Sequence, residues 1–115
     1  LENRMFGFGG KKHKEISAAE LNAMLKDDAV LLVDVREVDE FSDGHIAGAI
    51  NMPLSRFQAS LIPEAGGKTV VLQCAGGKRS AMALDKCASA QAAIETHLAG
   101  GIGAWKSAGL PIVRG

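Results

Sequence analysis

The run Gln73-Cys74-Ala75-Gly76-Gly77-Lys78-Arg79-Ser80 is the clearest candidate for chemistry in this chain. A cysteine attacks as its thiolate, and a helix N-terminus beside cations lowers a thiol pKa into the range of about 3.5–7.5. Here an apolar, β-branched stretch, Thr69 to Leu72, leads into the cysteine, and a helical stretch, Ala81 to Cys87, follows it. Backbone N–H groups at a helix start favour negative charge. Gly76 and Gly77 let the connection curl around the sulfur, and Lys78 and Arg79 add positive charge. A thiolate held this way needs no adjacent base. Three products are then open: a persulfide, a phosphocysteine or a sulfenic acid.

Placing that sulfur requires a strand that ends at the cysteine and a helix that begins after it. Val30 to Val35 is nearly all apolar and β-branched, which predicts a strand buried on both faces, and Thr69 to Cys74 predicts a second. Ala49 to Asn51, Ile94 to Leu98 and Glu15-Ile16 are shorter candidates. Ser17-Ala18-Ala19-Glu20 has capping-box spacing, with Ile16 set to staple onto Leu21, and predicts a helix over Ala18 to Lys26. Ser55-Arg56-Phe57-Gln58 repeats the box before a short helix that must stop by Pro63. Gly44 ends a helix over Glu37 to Asp43, and Gly109 with Pro111 ends one around Trp105. Strands and helices alternate throughout, which predicts an α/β fold with a mainly parallel sheet covered by helices. Sites in such sheets lie at the carboxyl ends of strands. Cys74 occupies one such end, and Asp34 to Arg36 another.

The chain's 115 residues suit one domain. Its formal net charge is +0, which argues against nucleic acid or an anionic membrane as principal partner. Tyr is absent, so a base-stacking platform is not expected. Cys74 and Cys87 make no CxxC pair and the histidines have no zinc-finger spacing; neither a metal nor an organic cofactor is expected. No window is apolar for long enough to span a membrane, and no signal peptide is visible. A reducing cytosol is the expected compartment. Residues 1–14, with Met5 as a candidate natural start and the basic run Lys11-Lys12-His13-Lys14, read as a loose solvated tail; 15–115 read as the domain.

Three separated segments resemble the rhodanese-like domain, specifically its single-domain bacterial sulfurtransferases. Asp34-Val35-Arg36-Glu37-Val38-Asp39-Glu40-Phe41 with Gly44-His45-Ile46-Ala47-Gly48-Ala49-Ile50-Asn51-Met52-Pro53 is similar to the family's first signature. Cys74 to Ser80 is similar to its active-site loop. Gly100-Gly101-Ile102-Gly103-Ala104-Trp105 with Ala108-Gly109-Leu110-Pro111 is similar to its C-terminal signature. The resemblance implies five strands and a ping-pong reaction. Cys74 would take the outer sulfur of a donor such as thiosulfate, or of a persulfide, and pass it to cyanide, a thiol or a protein cysteine. N–H groups from Ala75 to Ser80 would hold the terminal sulfur's charge, an oxyanion-hole logic applied to sulfur. Four residues separate Cys74 from Arg79. Cysteine phosphatase cradles are one residue longer and fit a tetrahedral phosphate, whereas this length fits a single sulfur atom. Some thiosulfate users carry cations directly after the cysteine. Ala75 and Gly76 stand there instead, which favours a protein or small-molecule persulfide as donor. Competing assignments are a cysteine phosphatase or arsenate reductase, a non-catalytic protein-binding module, and the soluble part of a membrane-tethered protein.

The remaining site candidates divide by role. Arg79 is suited either to position the donor or to brace the loop through its carbonyl groups, and Lys78 to point outward as an electrostatic lure. Arg36 and Glu40, four apart, suit an ion pair, with Asp34, in an architectural role near the pocket mouth. His45 reads as a hydrogen-bonded structural histidine, because a preformed thiolate needs no general base. Cys87 shares helical spacing with Ser80, Ala83 and Leu84 and is expected to face the core, as is Trp105. Gly100, Gly101 and Gly103 read as a turn into the Trp105 helix rather than as a phosphate loop.

Overall fold

The computed structural model describes residues 13–115. Strand β1 (Lys14–Ile16) leads through the Ser17 cap into helix α1 (Ala18–Lys26). There follow β2 (Val30–Asp34), α2 (Val38–Asp43), β3 (Ile50–Asn51), β4 (Thr69–Gln73), α3 (Lys78–Ser89), β5 (Thr96–Leu98) and α4 (Gly101–Ser107). The five strands form one sheet in the order β1-β5-β4-β2-β3, and each pairing is parallel. The expected fold class is therefore the observed one. β1 begins at Lys14, one residue before the expected domain boundary; of the predicted tail, His13 is also described, bonded to Asp85, and residues 1–12 lie outside the described residues.

Alternation along the central strands sorts the core into two layers. Leu32 and Val71 pack on one face with Leu21 of α1 and Ile102 and Trp105 of α4. Val33 and Leu72 pack on the other with Phe57 and with Ala83, Leu84 and Cys87 of α3. Helices thus cover both faces, and the long runs in β2 and β4 lack polar alternation because neither face meets water. The capping box of α1 forms as expected. Ser17 Oγ accepts the Glu20 N–H at 3.1 Å, and Glu20 Oε1 accepts the Ser17 N–H at 2.8 Å.

One expected helix does not form. The second capping-box pattern gives two 3₁₀ turns, Leu54–Arg56 and Ala59–Leu61. The Ser55 hydroxyl donates to Glu37 Oε1 at 2.7 Å instead of capping its own turn. Elsewhere the observed elements overlap the expected stretches with shifted ends. β5 uses only the last three residues of Ile94 to Leu98, and α3 extends beyond Ala81 to Cys87 at both ends.

Candidate functional site

Cys74 is the first residue after β4, at the centre of the sheet, and is 1% exposed. Ala75 and Gly76 are exposed and form the outer part of the turn. The turn closes at Gly77, whose φ of 112° is a left-handed conformation open to glycine, and α3 starts at the next residue. This places the Gly77 N–H 3.0 Å from Cys74 Sγ. Ser80 Oγ, in the first turn of α3, lies 3.6 Å from the same sulfur. Burial alone pushes the thiol up. The Ser80 hydroxyl and the backbone N–H groups of Ser80, Gly77 and Gly76 outweigh it, and the Cys74 thiol is held below its ordinary value.

The loop is fixed from behind by the start of α4. The Ile102 N–H donates to the Cys74 carbonyl at 2.8 Å, and the Gly103 N–H to the Ala75 carbonyl at 3.1 Å. Gly101 permits this approach, since a Cβ there would stand 2.4 Å from the Cys74 carbonyl oxygen. The glycines of the C-terminal segment therefore form the expected turn, and their close packing holds the cysteine loop in place.

The predicted ion pair between Arg36 and Glu40 is replaced by two others. Arg36 precedes α2 instead of lying within it, so helical four-residue spacing does not apply. Its guanidinium grips Asp34, with Nη2 2.7 Å from Oδ2 and Nε 3.1 Å from Oδ1. It also donates to the Gly44 carbonyl at 2.7 Å and, more weakly, to the Glu40 carbonyl at 3.3 Å. Asp34 is 0% and Arg36 5% exposed, so this pair is sealed inside the loop that follows β2. Glu40 is left to take Arg79 in a bidentate contact, Nη1–Oε1 2.7 Å and Nη2–Oε2 2.9 Å. Arg79 thus neither bonds the loop's carbonyls nor stands free for an anion. It clasps α3 to α2. Lys78 is exposed, as expected.

The Arg79 contact holds the Glu40 carboxyl at about 2, against an ordinary 4.5. A carboxyl depressed by folding adds stability above pH 4.5 that is lost as pH falls through about 2. Both side chains are about one-third exposed, 31% and 36%, and solvent screening reduces the contribution to about 1 kcal/mol. Acid unfolding followed by circular dichroism should show it. Glu40→Gln should lose about 1 kcal/mol at neutral pH and little of that difference at pH ~2. An equal deficit at both pH values would exclude the clasp as its source.

The other candidates have partners of their own, and Cys87 shares a core cluster with Cys74. His45 stacks on Phe41 with ring centroids 3.7 Å apart, and its Nδ1 lies 2.9 Å from the Phe41 carbonyl. Its backbone pairs with Val113 in an antiparallel bridge. Cys87 is 0% exposed, and burial pushes its thiol up. Trp105 is buried and donates Nε1–H to the Pro111 carbonyl at 2.7 Å.

One neighbour of the loop was not singled out by sequence reasoning. His97 pairs in register with Leu72, two residues before Cys74, so it faces the same side of the sheet as the sulfur. It is 4% exposed, and its Nδ1 is 2.7 Å from Ser80 Oγ. The available signal was a histidine flanked by Thr96 and Leu98 in a stretch otherwise read as a buried strand.

A family model described as the rhodanese-like domain matches residues 17–108. The uncharacterized protein slr1261 of Synechocystis sp. is 48% identical over 99 residues, covering 86% of this chain and 55% of that protein. A sulfurtransferase of Allochromatium vinosum is 34% identical over 100 residues, covering 86% of this chain and 94% of that one. The crystal structure of a rhodanese-related protein from Thermoplasma volcanium superposes with a TM-score of 0.74 at 34% identity, covering 88% of this chain and 98% of that one. The chain spans about half the length of some curated relatives, 55% of the Synechocystis protein and 47% of the regulator Rv0324 of Mycobacterium tuberculosis. With sheet order, cysteine loop and these matches in agreement, the chain belongs to the rhodanese-like domain family.

Proposed function

We propose that this domain transfers sulfane sulfur through a persulfide on Cys74. The observation that carries the proposal is the sulfur's setting. Sγ sits 3.0 Å from the Gly77 N–H, inside a turn whose hydrogen bonds outweigh burial and hold its thiol low. The thiolate attacks the outer sulfur of a donor, the donor's S–S bond breaks, and its remainder leaves with the bonding pair: sulfite from thiosulfate, a thiolate from a persulfide. An acceptor nucleophile then attacks the terminal sulfur, and Cys74 leaves as thiolate. Cyanide would leave as thiocyanate, and a thiol would become a persulfide. Loop N–H groups favour the anion at both stages.

The donor follows from what surrounds the turn. Ala75 and Gly76 form a neutral rim, and Arg79 is engaged by Glu40. Lys78 is the loop's one cation outside an ion pair among the described residues. A small-molecule or protein persulfide suits that rim better than dianionic thiosulfate, and a thiol or protein cysteine suits it as acceptor. This chemistry fits a reducing cytosol. No helix among the described residues is long and apolar enough to cross a membrane.

Intact mass spectrometry tests the proposal. After exposure to a persulfide, the protein should gain one sulfur atom, lose it to cyanide, and show no gain as Cys74→Ser. Thiosulfate should load it more slowly. No sulfur gain from either donor would overturn the assignment and leave a binding module. Hydrolysis of a phenyl phosphate would point to phosphatase chemistry instead.

A further inference from the structure

Ser80 Oγ carries one proton and has three polar neighbours. They are Cys74 Sγ at 3.6 Å, the Gly77 carbonyl at 3.1 Å and His97 Nδ1 at 2.7 Å. Ser80 is 0% and His97 4% exposed, so water does not compete for these contacts. On its far side, His97 Nε2 lies 3.4 Å from Glu15 Oε2 on the neighbouring strand. A carboxylate there selects the tautomer with the proton on Nε2. The bare lone pair of neutral His97 is then Nδ1, directed at Ser80. A continuous chain runs from the sulfur through a hydroxyl and an imidazole to an exposed carboxylate.

We propose that His97 is a positioning residue that accepts the Cys74 proton through Ser80, forming a serine-bridged thiolate–imidazolium pair oriented by Glu15. This rests on Cys74 being the reactive sulfur and adds the route by which its proton leaves. The transfer balances within the chain. In the thiol state, Sγ–H donates to Ser80 Oγ, and the Ser80 hydroxyl donates to Nδ1. In the thiolate state, Ser80 has passed its own proton to Nδ1 and taken the one from sulfur. Nδ1–H then donates to Oγ, and the Ser80 O–H points at the anionic sulfur. No bond between heavy atoms changes, and no oxidant or outside base is required. The reverse shift returns a proton to Cys74 when an acceptor has removed its terminal sulfur.

The surroundings suit a base that holds the proton briefly. Burial pushes the imidazole down, Glu15 pulls it part of the way back, and it stays below its ordinary value. The His13 ring stands edge-on at 5.8 Å and opposes a second charge there. His13 is itself held by Asp85 of α3 at 2.9 Å. Among the described residues, the charged or titratable groups facing His97 are thus Glu15, His13 and, across Ser80, Cys74.

Two measurements test the relay. In the first, Cys74 alkylation by iodoacetamide is followed against pH by peptide mass spectrometry. His97→Asn and Ser80→Ala should each move the profile up by about one unit, a tenfold slower reaction on its acid limb. An unchanged His97→Asn profile would overturn the proposal. In the second, the His97 imidazole nitrogens of the otherwise unaltered protein are titrated by NMR, independently of whether those variants fold. Nδ1 should report a step coincident with Cys74 deprotonation, and Cys74→Ser should remove it. An identical His97 titration in both proteins would overturn the relay. Coupled titration without sulfur loading would leave the relay standing and sink the transferase assignment alone.

Discussion

Cys74→Ser is expected to lower sulfur transfer by more than about 10³-fold while leaving the melting temperature close to that of the parent. The serine oxygen is nearly isosteric and still accepts the Gly77 N–H, so the turn keeps its shape. What is lost is the anion. A hydroxyl stays protonated at every pH the fold tolerates, and oxygen does not form the chain-linked sulfur intermediate. Cys87 offers no substitute, because it is fully buried and burial pushes its thiol up. Thiocyanate formation with a persulfide or thiosulfate donor is the measurement. Turnover within tenfold of the parent would remove Cys74 from the reaction.

The second large effect concerns stability. Asp34→Ala should destabilise the domain by about 3–5 kcal/mol, roughly 10–20 °C in melting temperature, because it strands a buried guanidinium. Arg36 would keep only the Gly44 and Glu40 carbonyls as partners. The reverse change should cost less. Arg36→Ala leaves a carboxyl that can protonate and still accept the residue-36 N–H, now 2.9 Å from Oδ1. Replacing both residues with apolar ones, as Asp34→Ala with Arg36→Met, should recover part of the loss, since a buried ion pair is worth little against good packing. Thermal melts of the three variants decide this. A double variant less stable than Asp34→Ala would show that the charges were contributing more than filling the space.

The parts of this fold that were legible share a local cause. Val30 to Val35 is apolar at all but one position, a pattern that suits a doubly covered strand, and Ser17 with Glu20 states a helix start in four residues. Cys74 was legible for the same reason: its strand, glycines and following helix are contiguous. What was not legible depended on distant partners. Ser55 had the spacing of a cap, yet Glu37, across the chain, claimed its hydroxyl. Glu40 had a cation four residues away and paired instead with Arg79, 39 residues on. His97 reaches Ser80 only because β5 lies beside β4, a neighbour relation that no spacing records. Strand β3 was predicted yet holds just two residues, since one edge of pairing to β2 suffices there.

The docking of α4 against the cysteine turn has a consequence for the order of events in folding. The carbonyls of Cys74 and Ala75 are oriented by N–H groups of residues 102 and 103, nearly thirty positions later in the chain. The Ala75 carbonyl shares its peptide unit with the Gly76 N–H, one of the groups that favour the thiolate. Before the C-terminal helix seats, the turn lacks this backing, and the N–H groups of Gly76 and Gly77 are expected to be less firmly aimed at the sulfur. A chain whose last helix has not docked is therefore expected to react more slowly at Cys74 than the assembled domain.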